Sequence, residues 1–120
     1  MNPRRLPDYL DHIHQAASDA CVFVEGLVLQ DFLEDKRTQQ AVIMCRVIVG
    51  EAVAKVMDGY ADFVDANPQI PWRSMRGMRN RIAHGYFEIN LEVVWETVQT
   101  ALPALLLQLS EIRGDANKSA

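Results

Sequence analysis

Residues 38–58, TQQAVIMCRVIVGEAVAKVMD, decide the fold class because apolar side chains recur there at the three- and four-residue steps of an α-helix. One apolar stripe fits the core-facing side of such a helix and comprises Val42, Cys45, Val49, Ala52, Val53 and Val56. A second apolar side carries Ile43, Met44 and Ile48. A helix that is apolar on two sides is either central in a bundle or shared with a partner chain. Gly50 is a poor helix former in the middle of this segment, so we expect another backbone to pack closely there.

Helical spacing extends on both sides of this segment. Residues 6–24 predict a first amphipathic helix, which Gly26 ends. Thr38 is a suitable N-cap for the second helix, which runs to about Asp58. The apolar pattern continues through two aromatic residues before Asn67 and Pro68 stop it.

Two further helices follow in the C-terminal half. Pro71 and Trp72 open the third helix, because proline suits the first turn. Asn90 is the predicted N-cap of the fourth helix, which Pro103 should kink or split after Thr100. No β-alternation of useful length appears. The sequence therefore predicts an all-α protein, a four- to five-helix antiparallel bundle over residues 3–113, with a frayed polar tail at residues 114–120.

Composition places the chain among soluble globular proteins. It has 120 residues, of which 49% are apolar, enough for one domain with its own core. Cys21 and Cys45 both lie in apolar runs, which indicates buried free thiols in a reducing compartment. The N-terminal residues do not read as a signal peptide, and no stretch is apolar enough to span a membrane. These features predict a cytoplasmic location without a membrane partner.

Charge is distributed unevenly along the chain. The net charge is −4, yet residues 66–87 contain no acidic residue and four arginines, so the rest carries −4 − 4 = −8. A basic patch on an acidic body can bind one polyanion at a defined place. The same pattern is also typical of a solvated helix face whose arginines pair with neighbouring acidic helices.

The sequence gives little support for a metal site or a cofactor site. His12 and His14 are two positions apart on a helix, so they point to opposite sides and cannot share an ion. The chain contains no Glu-x-x-His, Cys-x-x-Cys or glycine-rich phosphate-binding motif. We therefore expect neither a metal nor a cofactor.

Residues 79–86, RNRIAHGY, carry the candidate catalytic groups. Arg79 offers a permanently charged planar fork for phosphate oxygens, and His84 suits proton transfer near neutral pH. This pairing fits cleavage of RNA by its own 2′-OH group, which needs proton transfer and a cation on the phosphorane. A structural interpretation remains open, in which Arg79 makes a cap or an ion pair and His84 interacts with the helix dipole.

Helix geometry limits how these two side chains can meet. At about 100° per residue, Arg79 and His84 are separated by roughly 140° on a straight helix. Either the helix ends before His84, as Gly85 would allow, or two copies of the protein face each other. We favour both together, a loosened helix end lying in the groove of a symmetric dimer.

The spacing Arg79-x4-His84-x-Tyr86 resembles the signature of HEPN-domain ribonucleases, in the form found in HepT-like toxins. Asn80, the polar residue after the arginine, fits that pattern, and the resemblance runs from about Asp8 to Ile112. The flanking matches are residues 31–33, 38–39 and 50–52, Trp72 and residues 77–80.

The resemblance implies a homodimeric helical bundle with Arg79 and His84 in the dimer cleft as residues of a metal-independent endoribonuclease. It also implies a toxin of a type VII-like toxin–antitoxin pair, whose partner is a minimal nucleotidyltransferase antitoxin. That antitoxin would neutralise the toxin by AMPylation of Tyr86, since added phosphate beside the site would repel RNA. Tyr86 could instead be an interface or core aromatic residue.

Other residues of the basic stretch have less defined roles. The candidates for positioning RNA, or for contacting an acidic partner, are Arg73, Arg76, Asn80 and Arg81. Glu51 is a candidate for orienting Arg79 across the helix pair. The alternative to an enzyme is a non-catalytic helical module that docks a nucleotidyltransferase or another partner through the same basic face.

Overall fold

The computed structural model describes the backbone of residues 5–84 and 89–119, and the side chains of residues 5–77, 79 and 89–112. The described residues form α-helices joined by short turns, with no strand among them, as the sequence predicted. The helices are α1 (Arg5–Phe23), α2 (Leu29–Glu34), α3 (Lys36–Gly59), α4 (Ala61–Ala66), α5 (Trp72–His84), α6 (Leu91–Glu96) and α7 (Leu102–Ser119). Within these ranges, no helix is both long enough and apolar enough to cross a membrane.

Helix α3 lies at the centre of the bundle, where it packs against both α1 and α5. The predicted stripe of α3 is buried in the core together with residues of α1, α5, α6 and α7. Its second apolar side behaves differently, because Ile43 is buried while Met44 and Ile48 remain 58% and 41% exposed. The prediction of a central helix is therefore confirmed, and part of its apolar surface faces solvent.

The start of α3 corrects one prediction. The N-cap is Asp35 and not Thr38, and the helix already includes Lys36. The Asp35 carboxylate accepts hydrogen bonds from the backbone N–H of Thr38 at 3.1 Å and from its hydroxyl at 2.6 Å. These bonds, the hydroxyl first, hold the pKa of Asp35 below its usual range. Thr38 therefore serves as the donor in the third position of the helix.

The short helix α2 was not predicted from the sequence. Its first turn is fixed by the Asp31 carboxylate, which accepts from the backbone N–H of Val28 at 3.1 Å. Phe32 is fully buried and its ring lies 5.5 Å from that of Trp95. The side-chain amide of Gln39 on α3 donates to two α2 carbonyls at 2.9 and 3.1 Å. A six-residue helix is too short to show periodicity, so tertiary contacts specify it.

The third predicted helix, α5, begins at Trp72, as expected. The Trp72 indole N–H donates to the carbonyl of Asn67 at 3.0 Å, and the ring meets Phe63 edge to face at 6.1 Å. This hydrogen bond ties the first turn of α5 to the end of α4.

The C-terminal helix is interrupted where Pro103 predicted a break. Asn90 is the N-cap of α6, as predicted, and its side chain accepts from the N–H groups of Glu92 and Val93. The interruption is a π-helical segment, Thr97–Ala101, after which α7 starts at Leu102. Proline lacks an N–H, so the widened turn before it accommodates the missing bond. Helix α7 extends to Ser119, so it includes most of the polar tail predicted at residues 114–120.

Candidate active site

Arg79 lies on α5 at a point of close approach to α3. A Cβ atom placed on Gly50 would lie 2.5 Å from the Cβ of Arg79 and 3.1 Å from its backbone nitrogen. Both distances are shorter than ordinary van der Waals contact, so only glycine fits here. The close packing expected at Gly50 is therefore present, and its neighbour across the helix pair is the candidate catalytic arginine.

The Arg79 guanidinium is held by the residue that follows Gly50. Its Nη1 atom donates to Oε1 of Glu51 at 2.9 Å, across 28 positions of sequence. The Arg79 side chain is 27% exposed and that of Glu51 is 54% exposed. A fixed cation that still reaches solvent is the group a phosphodiester would need at this surface.

A second ion pair joins the same two helices. Arg76 of α5 lies 3.3 Å from the Asp58 carboxylate of α3, with both side chains partly exposed. The Glu51–Arg79 and Asp58–Arg76 pairs follow opposite directions along α3 and α5, so the helices run antiparallel. Two arginines of the basic stretch therefore pair with acidic residues of α3, as the charge pattern allowed. Arg73, at the start of α5, is exposed.

His84 is the last residue of α5, so the structure does not show a helix that ends before His84, which was one of the two possibilities raised by the sequence. On a helix that is continuous from Arg79 to His84, the two positions remain separated by roughly 140°. The side chains of His84, Asn80 and Arg81 lie outside the described residues, and so does the whole of Tyr86. The structure thus brings Arg79 to Glu51 and does not define its distance to the His84 ring.

The two cysteines carry protonated thiols. Burial raises the pKa of Cys45 to about 11 and also raises the pKa of Cys21. Both are free, but Cys21 is only partly buried, in contrast to the expectation that both would be enclosed. A thiol held protonated at neutral pH is a poor nucleophile, so neither cysteine suits covalent catalysis. Among residues 5–77, 79 and 89–112, no group of three or more His, Cys, Asp or Glu side chains could hold a metal ion.

A shallow groove lies beside the Glu51–Arg79 pair on the surface of α1 and α3. Its walls include Tyr9 and His12 from α1 and Ile48, Glu51 and Lys55 from α3. Sequence reasoning missed this groove, because its walls come from helices that are far apart in the chain.

Comparison with known proteins places this geometry in context. A family model described as ribonuclease HepT-like matches residues 13–112. A protein of Thermococcus cleftensis provisionally named ribonuclease HepT is 38% identical, over 92% of this chain and 97% of its own length. Two proteins provisionally named RNases are 35% and 33% identical, one from Methanocaldococcus jannaschii and one from Caldanaerobacter subterraneus subsp. tengcongensis. These cover 89% and 87% of this chain, and 86% and 90% of their own lengths. No solved structure gave a significant match.

Proposed function

Because the chain belongs to the HepT-like ribonuclease family, we propose that it is a metal-independent endoribonuclease and the toxin of a toxin–antitoxin pair. The observation that carries the proposal is the placement of Arg79. This first residue of the Arg-x4-His-x-Tyr motif is anchored by Glu51 and remains partly exposed on the basic helix. A phosphate-binding arginine must be reachable from solvent, and the 27% exposure of the Arg79 side chain meets this requirement.

The proposed reaction uses the ribose 2′-OH of the substrate as nucleophile. Its oxygen forms a bond to the adjacent phosphorus, and the bond from phosphorus to the 5′-oxygen of the next nucleotide breaks. His84 accepts the proton of the 2′-OH, and the departing 5′-oxygen takes a proton from solvent water. Arg79 stabilises the negative charge on the non-bridging oxygens of the phosphorane. The products are a 2′,3′-cyclic phosphate and a 5′-OH end.

In this proposal the complete site lies between two copies of the chain. Residues 79 and 84 lie roughly 140° apart around a regular helix, so we infer that a single α5 does not bring both groups to one phosphate. A symmetric dimer places two copies of the motif in one cleft, where Arg79 of one copy can meet His84 of the other.

Tyr86 is the proposed site at which the antitoxin modifies and inactivates the toxin. A minimal nucleotidyltransferase antitoxin would transfer AMP from ATP to the Tyr86 oxygen, with release of pyrophosphate. The added phosphate charge two residues from His84 would repel RNA and compete for Arg79.

The remaining residues of the basic stretch would position the RNA backbone. Arg73 is the best supported of them, because it is exposed at the start of α5. Arg76 has a partner in Asp58, so it would have to share its charge between that carboxylate and RNA. Asn80 and Arg81 complete the proposed RNA contacts. The two ion pairs between α3 and α5 also favour the competing proposal of a non-catalytic docking module, whose arginines would be structural.

Cleavage of single-stranded RNA by the purified, unmodified protein in the presence of EDTA separates these proposals. EDTA removes the contribution of contaminating metal-dependent nucleases. We expect cyclic-phosphate ends from the wild type, and loss of cleavage in Arg79→Ala and His84→Ala proteins that remain folded. If both variants cleave RNA as fast as the wild type, the assignment of the catalytic residues is wrong. If the wild type binds its partner but cuts no RNA, the docking module is correct.

The regulatory part of the proposal has its own test. Intact mass is measured after incubation with ATP and a minimal nucleotidyltransferase as the candidate antitoxin. We expect one or more AMP additions on the wild type and none on Tyr86→Phe. AMP additions that persist in Tyr86→Phe would place the modification elsewhere.

A further inference from the structure

We propose that Glu51 is a positioning residue, whose carboxylate holds the Arg79 guanidinium in the orientation that meets the RNA phosphate. The inference rests on the proposed ribonuclease function and adds a residue that lies outside the Arg-x4-His-x-Tyr motif. It starts from one contact, the 2.9 Å hydrogen bond from Nη1 of Arg79 to Oε1 of Glu51.

Two consecutive residues of α3 fix one residue of α5. Gly50 sets the backbone, because its missing side chain lets α5 approach until a Cβ atom added to Gly50 would lie 3.2 Å from the Cα of Arg79. Glu51, one position later, then fixes the far end of the same side chain. An arginine has several rotatable bonds, and ordering them in advance removes an entropic cost from phosphate binding. The pair of contacts therefore defines both ends of the Arg79 side chain.

The Glu51–Arg79 pair contributes little to the stability of the fold. Both side chains reach solvent, Arg79 at 27% and Glu51 at 54% exposure. Ion pairs of this kind stabilise folded proteins little, because water screens the attraction and side-chain ordering opposes it. Stability alone therefore gives a weak reason for an acid at this place, whereas orientation of a reactive cation gives a specific one.

Glu51 leaves the Arg79 guanidinium able to bind a phosphate. A guanidinium carries five N–H donors arranged in a planar fork, so a carboxylate on Nη1 is compatible with phosphate binding by the same group. The charge of Glu51 is also screened by the solvent that reaches it. Glu51 would thus orient the Arg79 side chain, as carboxylates that do not touch a metal ion orient the side chains that bind it in other proteins.

The structure offers a matched control on the same helices. Asp58 and Arg76 form the other α3–α5 ion pair, at 3.3 Å and with similar exposure. Helix α3 places Asp58 seven residues after Glu51, which corresponds to about two turns. Asp58→Ala therefore removes an equivalent ion pair between the helices and leaves the Glu51–Arg79 contact intact.

The first experiment measures order without reference to activity. The full-length protein is labelled with 15N, and the side-chain Nε–Hε relaxation of Arg76 and Arg79 is recorded by NMR. We expect Glu51→Ala to lower the order of Arg79 only, and Asp58→Ala to lower that of Arg76 only. If Arg79 stays equally ordered in folded Glu51→Ala, Glu51 does not hold it and the proposal is wrong.

The second experiment measures single-site RNA cleavage at saturating substrate. We expect Glu51→Ala to lower kcat by roughly 10- to 100-fold, the scale of a small misplacement of a catalytic group. Glu51→Gln keeps an oxygen that accepts from Nη1, so it should recover most of that loss, while Asp58→Ala should leave kcat unchanged. If kcat rises in Glu51→Ala, Glu51 slows the reaction in the wild type. If Glu51→Gln is as slow as Glu51→Ala, Glu51 does not position Arg79 by accepting this hydrogen bond. Either result overturns the proposal.

The two experiments also separate this proposal from the function on which it rests. If the wild type cuts no RNA, the ribonuclease proposal fails, and the NMR measurement still shows whether Glu51 orders Arg79. If the wild type cuts RNA and Glu51→Ala is equally active, only the role of Glu51 is rejected.

Discussion

Gly50 decides how close α5 can come to α3, because any side chain there meets the backbone of Arg79. The Gly50→Ala substitution raises helix propensity by roughly 1 kcal/mol. It also forces a methyl group against atoms of α5 that include backbone, and overpacking of this kind costs about 1–3 kcal/mol. We therefore expect a net decrease in the free energy of unfolding, measured by urea denaturation, together with lower RNA cleavage because Arg79 is displaced. Unchanged stability would show that α5 moves away without cost.

Gly26 provides the control for that substitution. It has φ of +80°, and a Cβ placed there would meet no atom within 4 Å. Gly26→Ala should therefore destabilise the protein by about 1–2 kcal/mol through backbone strain alone. Because Gly26 lies in the turn after α1, we expect cleavage of RNA by the folded Gly26→Ala protein to match the wild type.

The two thiols should differ in reactivity. Burial raises the pKa of Cys45 to about 11, and its side chain is only 5% exposed. Cys21 also has a raised pKa but lies partly at the surface. With iodoacetamide near neutral pH, mass spectrometry should show slow modification of Cys21 and none of Cys45 until denaturant is added. Since the unfolded thiol ionises first, the contribution of Cys45 to stability should be lost as the pH rises towards 11. Rapid labelling of native Cys45 would contradict its burial.

At the scale of elements, the N-terminus of α3 makes stability depend on pH. Hydrogen bonds from the Thr38 hydroxyl and N–H lower the pKa of Asp35, so this cap contributes stability above the unfolded pKa and loses it as the pH falls through the folded value. Asp35→Asn keeps a good N-cap without a charge. Acid unfolding below a pH of about 4 should therefore be less steep in this variant than in the wild type. Thr38→Val removes the hydrogen bond from the hydroxyl, which is the larger cause of the lowered pKa of Asp35. We therefore expect acid unfolding of this variant at a higher pH. If the pH of acid unfolding does not change, the cap hydrogen bonds are weak in solution.

The elements also show what a sequence can reveal. The core stripe of α3 was predictable because burial leaves a periodic pattern over successive turns of the helix. The start of α3 was not predictable, because Asp35 and Thr38 are both good N-caps. Only the direction of the hydrogen bonds between them decides which one caps the helix. Pro103 signalled the break in the last helix, but the π-helical form of that break depends on which carbonyl each N–H reaches.

The candidate site, too, was predictable from the sequence only where its signal is local. The motif from Arg79 to Tyr86 could be recognised because its spacing is local. The Glu51–Arg79 bond joins residues 28 positions apart and depends on the register of two antiparallel helices, which periodicity does not define. Gly50 gave the one advance signal, since a glycine in a helix interior predicts a close neighbour without naming it.

At the scale of the whole molecule, α3 is a central helix whose apolar surface is only partly buried. Met44 and Ile48 form an exposed apolar pair, about two turns and one turn before Glu51. Such a surface on a central helix fits the second possibility that the sequence raised, a face shared with another chain. We expect Ile48→Glu to weaken self-association in analytical ultracentrifugation without loss of helical circular dichroism. Unchanged association would place the interface elsewhere on the bundle.

The proposed two-copy site can be tested by mixing inactive subunits. If Arg79 of one copy acts with His84 of the other, a dimer of an Arg79→Ala chain with a His84→Ala chain retains one intact site, since each chain supplies the residue that the other lacks. If both residues act within one chain, every site in that mixed dimer is incomplete. The two variants are therefore denatured together, refolded, and assayed for RNA cleavage in EDTA, with each variant refolded alone as control. We expect activity to return in the mixture only, and the double variant Arg79→Ala/His84→Ala mixed with either single variant to remain inactive. Activity absent from a mixture shown by native mass spectrometry to contain the mixed dimer would reject a site shared between copies and require the α5 C-terminus to bring both side chains together within one chain.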